Sequence, residues 1–299
     1  MSALEGGWEA ALSAWAEARD DIRAVVLIGS RAQEGGGLDS WSDYDYQLIT
    51  TRPGRYRDGS FCGELGPCWA YGAHVAFGNS VKVTAVYEGA LEVDFVVLRH
   101  LDMLVATTAL RWPGTGRLWP RVLRRGVTDL RIVVAPGWRV VKGGALWEAR
   151  YSRIKPYRAV MTEGEFNGLC GHFWAQLVWT AKKAERGELR ACQRGLHEHL
   201  VDSSLRMLQE EALLGGRQAY PLGRRAEQWL TSEQLAGTDF ATRPDRAALM
   251  GAVGQIAGVF SMSSAAVAAA KGWRRGDYAE VRAWLAGLGR VTPTETARR

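Results

Sequence analysis

The chain has 299 residues, 47% of them hydrophobic, which exceeds the usual size of one domain and is enough to fill a substantial core. A formal charge of +6 and a pI near 9.3 suit an anionic ligand, but no basic stretch interleaved with aromatics marks a nucleic-acid module, so nucleic acid is not the expected partner. No secretory signal opens the sequence, the apolar run 259–270 is too short and too rich in serine to span a membrane, and Cys62, Cys68, Cys170 and Cys192 are too sparse for disulfides or zinc, so a cytoplasmic protein with reduced thiols is expected.

Leu4, Trp8, Leu12 and Trp15 recur at helical spacing and predict a helix packed behind a sheet. Val25-Val26-Leu27-Ile28 then reads as a short buried strand that ends abruptly in Gly29-Ser30-Arg31. Glycine lets a backbone approach a ligand closely, Ser30 and the turn amides can hydrogen-bond phosphate oxygens, and Arg31 offers a charged fork. Residues 34–39, with three consecutive glycines, form an excursion before the next strand; core packing is the default for the tryptophans, although Trp41, beside the acidic pair that follows, could stack on a base.

That next strand begins Asp43-Tyr44-Asp45. Alternate side chains of a strand share a face, so two carboxylates converge on one small site. Their mutual repulsion calls for a cation, and a hard, oxygen-ligated ion such as Mg²⁺ suits them best. After a Gly- and Pro-containing stretch at 53–67 come a possible strand at 69–77 and a hairpin at 81–98 that turns at Glu88-Gly89. Leu91, Val93, Phe95 and Val97 share one face of its second arm, leaving Glu92, Asp94, Val96 and Leu98 on the other. Asp94, between Val93 and Phe95, is costly without a partner and is expected to be the third acid; Glu92, nearer the turn, reads as a solvated strand end.

Residues 100–110 read as a helix and 130–141 as strand material broken by Pro136-Gly137. From about residue 145 the period becomes helical throughout. Phe166, Leu169, Cys170, Phe173, Trp174 and Leu177 mark one stripe, and Leu196, Leu200, Leu205 and Leu208 a second. Pro244 opens a third through Leu249, Val253, Ile256 and Phe260, and Tyr278, Val281, Trp284 and Leu285 mark a fourth. His197 and His199 point apart on a helix and are not expected to share a metal.

Gly29-Ser30, Asp43-Tyr44-Asp45 and Asp94 together resemble the pattern of the DNA polymerase β-like nucleotidyltransferase superfamily. Within it, Leu27-Ile28-Gly29-Ser30-Arg31 and Ser42-Asp43-Tyr44-Asp45-Tyr46 look most like the aminoglycoside 6-adenylyltransferase (streptomycin adenylyltransferase) family. Residues 180–189 are similar to that family's helical Ala-Lys-Gly segment, with Lys183 standing where the family usually has glycine. The resemblance implies an α+β fold: a nucleotidyltransferase mixed-sheet domain with helices at 1–144, then an all-helical substrate-binding domain at 145–299 ending in a short polar tail.

It further implies that Asp43, Asp45 and Asp94 hold Mg²⁺ on the phosphates of ATP, and that Gly29, Ser30, Arg31 and Lys182 contact the triphosphate. A hydroxyl of a small acceptor, an aminoglycoside such as streptomycin, would attack the α-phosphorus and release pyrophosphate, with Asp94 as metal ligand, general base or both. The substrate would sit in the cleft between the domains, and Glu163, Glu165, Glu198 and Asp202 of the helical domain, each more often a solvated helix charge, could supply carboxylates to a polycation. Adenylylation of a protein or RNA, and a non-catalytic nucleotide-binding relative, are the alternatives; an intact acidic triplet argues against the second of these.

Overall fold

The structure, a computed structural model, describes residues 3–33, 42–76, 80–111, 118–155, 161–240 and 242–288, with side chains from residue 7 onward. The chain divides into two compact units, Met1–Ala159 and Val160–Arg299. Together a mixed sheet with helices in the first and a helical second unit make the fold α+β. The expected excursion 34–39, Trp41 and the polar tail beyond 288 lie outside the described residues.

The first unit begins with α1 (Ala3–Glu17), followed by β1 (Ile22–Ile28), β2 (Tyr44–Thr50), β3 (Cys68–Val75), β4 (Val81–Tyr87) and β5 (Leu91–Arg99). Three helices and a last strand complete it: α2 (His100–Ala109), α3 (Arg121–Val133), β6 (Trp138–Lys142) and α4 (Gly144–Tyr151). The sheet order is β3-β4-β5-β2-β1-β6, and β2 runs parallel to β5 while the other pairings are antiparallel. Both faces of the sheet's central strands are covered, while the edge strand β3 is exposed. Trp8, Leu12 and Trp15 of α1 pack with Tyr44, Tyr46, Tyr87, Val93 and Phe95 on one side. On the other, Met103, Leu130, Val134, Trp147 and Tyr151 pack with Ala24, Val26, Ile28, Val96 and Leu98. A strand buried on both faces reads as an unbroken apolar run, which is why β1 does.

Two boundaries differ from the sequence expectations. Leu130–Val133 is the end of α3 rather than strand: Val127, Leu130 and Val134 recur at helical spacing and are buried together, and only the residues beyond Pro136-Gly137 extend into β6. The first unit also runs past residue 144. Trp147, Tyr151 and Ile154 fill the second face of the sheet, and the Tyr151 hydroxyl donates a hydrogen bond to the Gln47 side chain of β2.

The second unit holds α5 (Glu163–Glu185), α6 (Leu189–Gly195), a π-helical stretch over Leu196–Val201, α7 (Asp202–Leu214), α8 (Ala226–Trp229), α9 (Ser232–Thr238), α10 (Arg246–Lys271) and α11 (Ala279–Leu288). A reciprocal capping box between Thr162 and Glu165 starts α5, and the Asp245 side chain caps α10 one residue after Pro244. The stripes predicted on α5, α7 and α10 meet in one core, where Phe173 stacks on Phe260 with centroids 3.8 Å apart. By length and composition α10, at 26 residues, is apolar enough to cross a membrane, contrary to the sequence expectation. It is the core helix of this unit, with Leu249, Val253, Ile256 and Phe260 all fully buried.

Candidate active site

Strand alternation brings the acids together. Tyr44 and Tyr46 are buried against α1, with ring planes 7° apart, so Asp43 and Asp45 are turned to the opposite face of β2. Val93 and Phe95 do the same for Asp94 on β5. The parallel register then sets Asp45 directly opposite Asp94. One carboxylate oxygen from each of Asp43, Asp45 and Asp94 lies within 4.8 Å of the others; Asp94 is buried, while Asp43 and Asp45 are half-buried.

Gly29 closes β1 at φ +78° and ψ −151°, a conformation essentially confined to glycine. A Cβ built there would stand 2.8 Å from Asp45 Oδ2. The glycine therefore makes room for the Asp45 carboxylate itself, beside any close ligand approach expected from sequence. Ser30 follows in a single 3-10 turn, Ser30–Ala32, and is half-buried.

Arg31 has a defined structural role. Its Nε and Nη2 donate to the Ser42 carbonyl at 2.9 and 2.6 Å, and its guanidinium lies 3.9 Å from the centroid of the Tyr44 ring. It thus clamps the residues on either side of Asp43. Arg31→Ala should destabilise the first unit by about 1 kcal/mol and lower any turnover by about tenfold through misplacement of Asp43. Thermal unfolding beside kinetics checks this; unchanged stability with weakened ATP binding alone would assign the fork to phosphate instead.

Two residues not singled out in the sequence complete the site. Val83 and Ala85 of β4 are buried on the α1 side, so Lys82 and Thr84 face the acids, and Thr84 is the register partner of Asp94. The Thr84 hydroxyl lies 2.5 Å from Asp94 Oδ1, and Lys82 Nζ lies 2.5 Å from Asp94 Oδ2. Burial pulls the pKa of the Lys82 ammonium down. The hydrogen bond to Asp94 and the negative fields of Asp94, Asp45 and Asp43 together outweigh burial, and the net shift is upward. The same alternation that flagged Asp94 would have found both residues.

Lys182 stands exposed in the last turn of α5, in the second unit, where its neighbour Lys183 pairs with Glu188 at 2.5 Å. Of the carboxylates offered for a polycation, Glu165 is engaged in the capping box and Glu198 bonds Arg194 at 2.7 Å. Glu163 and Asp202 are exposed, and Glu92 is exposed on β5. His199 packs against His172 and Trp179, whereas His197 approaches Thr242. All four cysteines are free; burial raises the Cys62 thiol to about 12 and the Cys170 thiol to about 11, so neither is poised as a nucleophile.

The donor set fits a hard divalent cation: three carboxylates converge, and a cationic nitrogen already lies on one of them. No protein-family model matches the chain, and no curated protein matches it significantly. Among solved structures it is similar to an aminoglycoside 6-adenyltransferase from Bacillus subtilis, at 14% identity, with 97% of this chain and 100% of that chain covered and a TM-score of 0.44. It is also similar to a nucleotidyltransferase-like protein from Exiguobacterium sibiricum, at 9% identity, with 90% and 78% covered and a TM-score of 0.35.

Proposed function

We propose that the first unit is an Mg²⁺-dependent nucleotidyltransferase domain that transfers AMP from ATP to a hydroxyl of a small molecule. An aminoglycoside such as streptomycin is the favoured acceptor. The observation that supports this reading is the convergence of Asp43, Asp45 and Asp94 within 4.8 Å beside the Gly29-Ser30 turn. Two acids on adjacent strands with a third just before β2, and Gly29 vacating the space that Asp45 fills, are organised for more than solubility.

In this reading Asp43, Asp45 and Asp94 hold the metal. When bound, Mg²⁺ supplies charge neutralisation on the triphosphate and lowers the pKa of the attacking hydroxyl. Ser30 donates to a phosphate oxygen from the turn after β1. Asp94 is oriented by Thr84 and is the carboxylate suited to take the proton of the acceptor hydroxyl. The hydroxyl oxygen forms a bond to the α-phosphorus, the bond from that phosphorus to the bridging oxygen breaks, and pyrophosphate leaves.

The test is pyrophosphate release by the purified protein with ATP, Mg²⁺ and a panel of aminoglycosides, followed by the mass of the product. Release that depends on one drug, stops with EDTA and leaves the drug heavier by one AMP group is the expected result. Release without a small-molecule product would move the acceptor to a protein or RNA. Absence of Mg²⁺-dependent ATP binding would remove the enzymatic reading altogether.

A further inference from the structure

Lys82 is the feature of the site that nucleotidyl transfer leaves unexplained. Its ammonium lies against Asp94 Oδ2, while the Thr84 hydroxyl takes Oδ1, so both oxygens of the buried acid are engaged by side chains of β4. The two partners are not equivalent. A hydroxyl is neutral and tolerates a cation beside the carboxylate it orients, whereas an ammonium repels one. Lys82 also feels Asp43 and Asp45, which places its charge in the field of the whole triad.

Lys82 has a route away from Asp94. Its side chain is 33% exposed, against 4% for Asp94. Four methylenes let the ammonium swing while the backbone stays in the sheet. On the neighbouring edge strand Gly72 of β3 pairs with Thr84 and leaves space there, no heavy atom lying within 4 Å of a Cβ built at it, while the partner of Lys82 itself is His74, an exposed residue.

We infer that Lys82 is a resident counter-cation of the triad, which gives up Asp94 when a polyphosphate offers its ammonium a new anion and thereby makes divalent-ion binding conditional on nucleotide. The inference rests on the nucleotidyl-transfer reading of the same site. Lys82 lowers the affinity of the acids for a bare ion, because both cations seek the same oxygens. With a triphosphate present, Lys82 moves its charge onto a phosphate oxygen and the acids become available. The two ligands then bind with positive coupling, and by linkage each raises the affinity for the other equally. A site set up in this way takes the ion as its nucleotide complex and resists loading with the free ion.

Mn²⁺ binding measured by electron paramagnetic resonance, with and without a non-hydrolysable ATP analogue, tests this without any turnover. Lys82→Met should bind Mn²⁺ alone about tenfold more tightly than the parent protein and lose most of the enhancement that the analogue produces. Lys82→Arg, which keeps the charge, should behave like the parent, and thermal unfolding in EDTA confirms that all three proteins are folded. Equal affinity of the parent and Lys82→Met for free Mn²⁺ overturns the role of Lys82 and leaves nucleotidyl transfer standing. If no protein shows a Mn²⁺ site that Asp43→Asn abolishes, the nucleotidyl-transfer reading fails, and this inference with it.

Discussion

Asp43→Asn and Asp45→Asn are each expected to lower pyrophosphate release by about 10³-fold or more, since metal-borne charge neutralisation is worth several kcal/mol and each ~1.4 kcal/mol is a factor of ten. The fold should survive. Asp43 is half-buried among like charges, so its neutralisation relieves repulsion and should shift unfolding by no more than about 1 kcal/mol in either direction. Glu92→Gln is the matched control: the residue alternates with Asp94 on β5 and carries the same charge, but is exposed and outside the triad. It should retain activity within about twofold, as surface substitutions away from a site do. Stability and kinetics measured on all three variants separate a metal site from a merely acidic surface. Near-normal turnover in either aspartate variant would count decisively against metal-assisted transfer.

The acids were legible because period-two alternation depends on sequence alone. Buried Tyr44, Tyr46, Val93 and Phe95 dictate where Asp43, Asp45 and Asp94 point, whatever strand lies alongside. What sequence could not supply was the register. β2 and β5 are separated along the chain by β3 and β4, and only the parallel pairing sets Asp45 opposite Asp94. Lys82 is harder to read, because a lysine on a strand ordinarily reads as a solvated residue, although the expected hairpin and its alternation already set it on the face of Asp94. Arg31 illustrates the converse. A fork beside a Gly-Ser turn suits phosphate, and the same fork suits the Ser42 carbonyl and the Tyr44 ring, which local spacing cannot distinguish. The Leu130-Arg-Ile-Val-Val run misled because a short apolar cluster fits either period, and burial of Val127 with Leu130 and Val134 decides for the helix. In the second unit long stripes at helical spacing were sufficient to place α5 and α10, since burying them demands one another's company.

Gly29→Ala should harm stability and chemistry together, and by more than the loss of one hydrogen atom suggests. At φ +78° and ψ −151° an alanine is strained by about 1–3 kcal/mol in the backbone alone. Its methyl group would also sit 2.8 Å from Asp45 Oδ2, closer than carbon and oxygen can approach. Relief requires either that β1 end differently or that the Asp45 carboxylate move. Movement of the carboxylate takes its oxygen away from those of Asp43 and Asp94, and a shift of about 1 Å in a reacting assembly can lower turnover by about 10²-fold. Gly126→Ala, inside α3 with no neighbour within 4 Å of the added methyl, should instead stabilise the protein by up to about 1 kcal/mol. Denaturation curves, Mn²⁺ affinity and turnover for the pair discriminate a positional requirement for glycine from a general sensitivity to alanine. A Gly29→Ala protein with the parent's Mn²⁺ affinity and turnover would mean that Asp45 does not need the place that Gly29 leaves for it, and the geometry of the acidic triad would lose its claim to function.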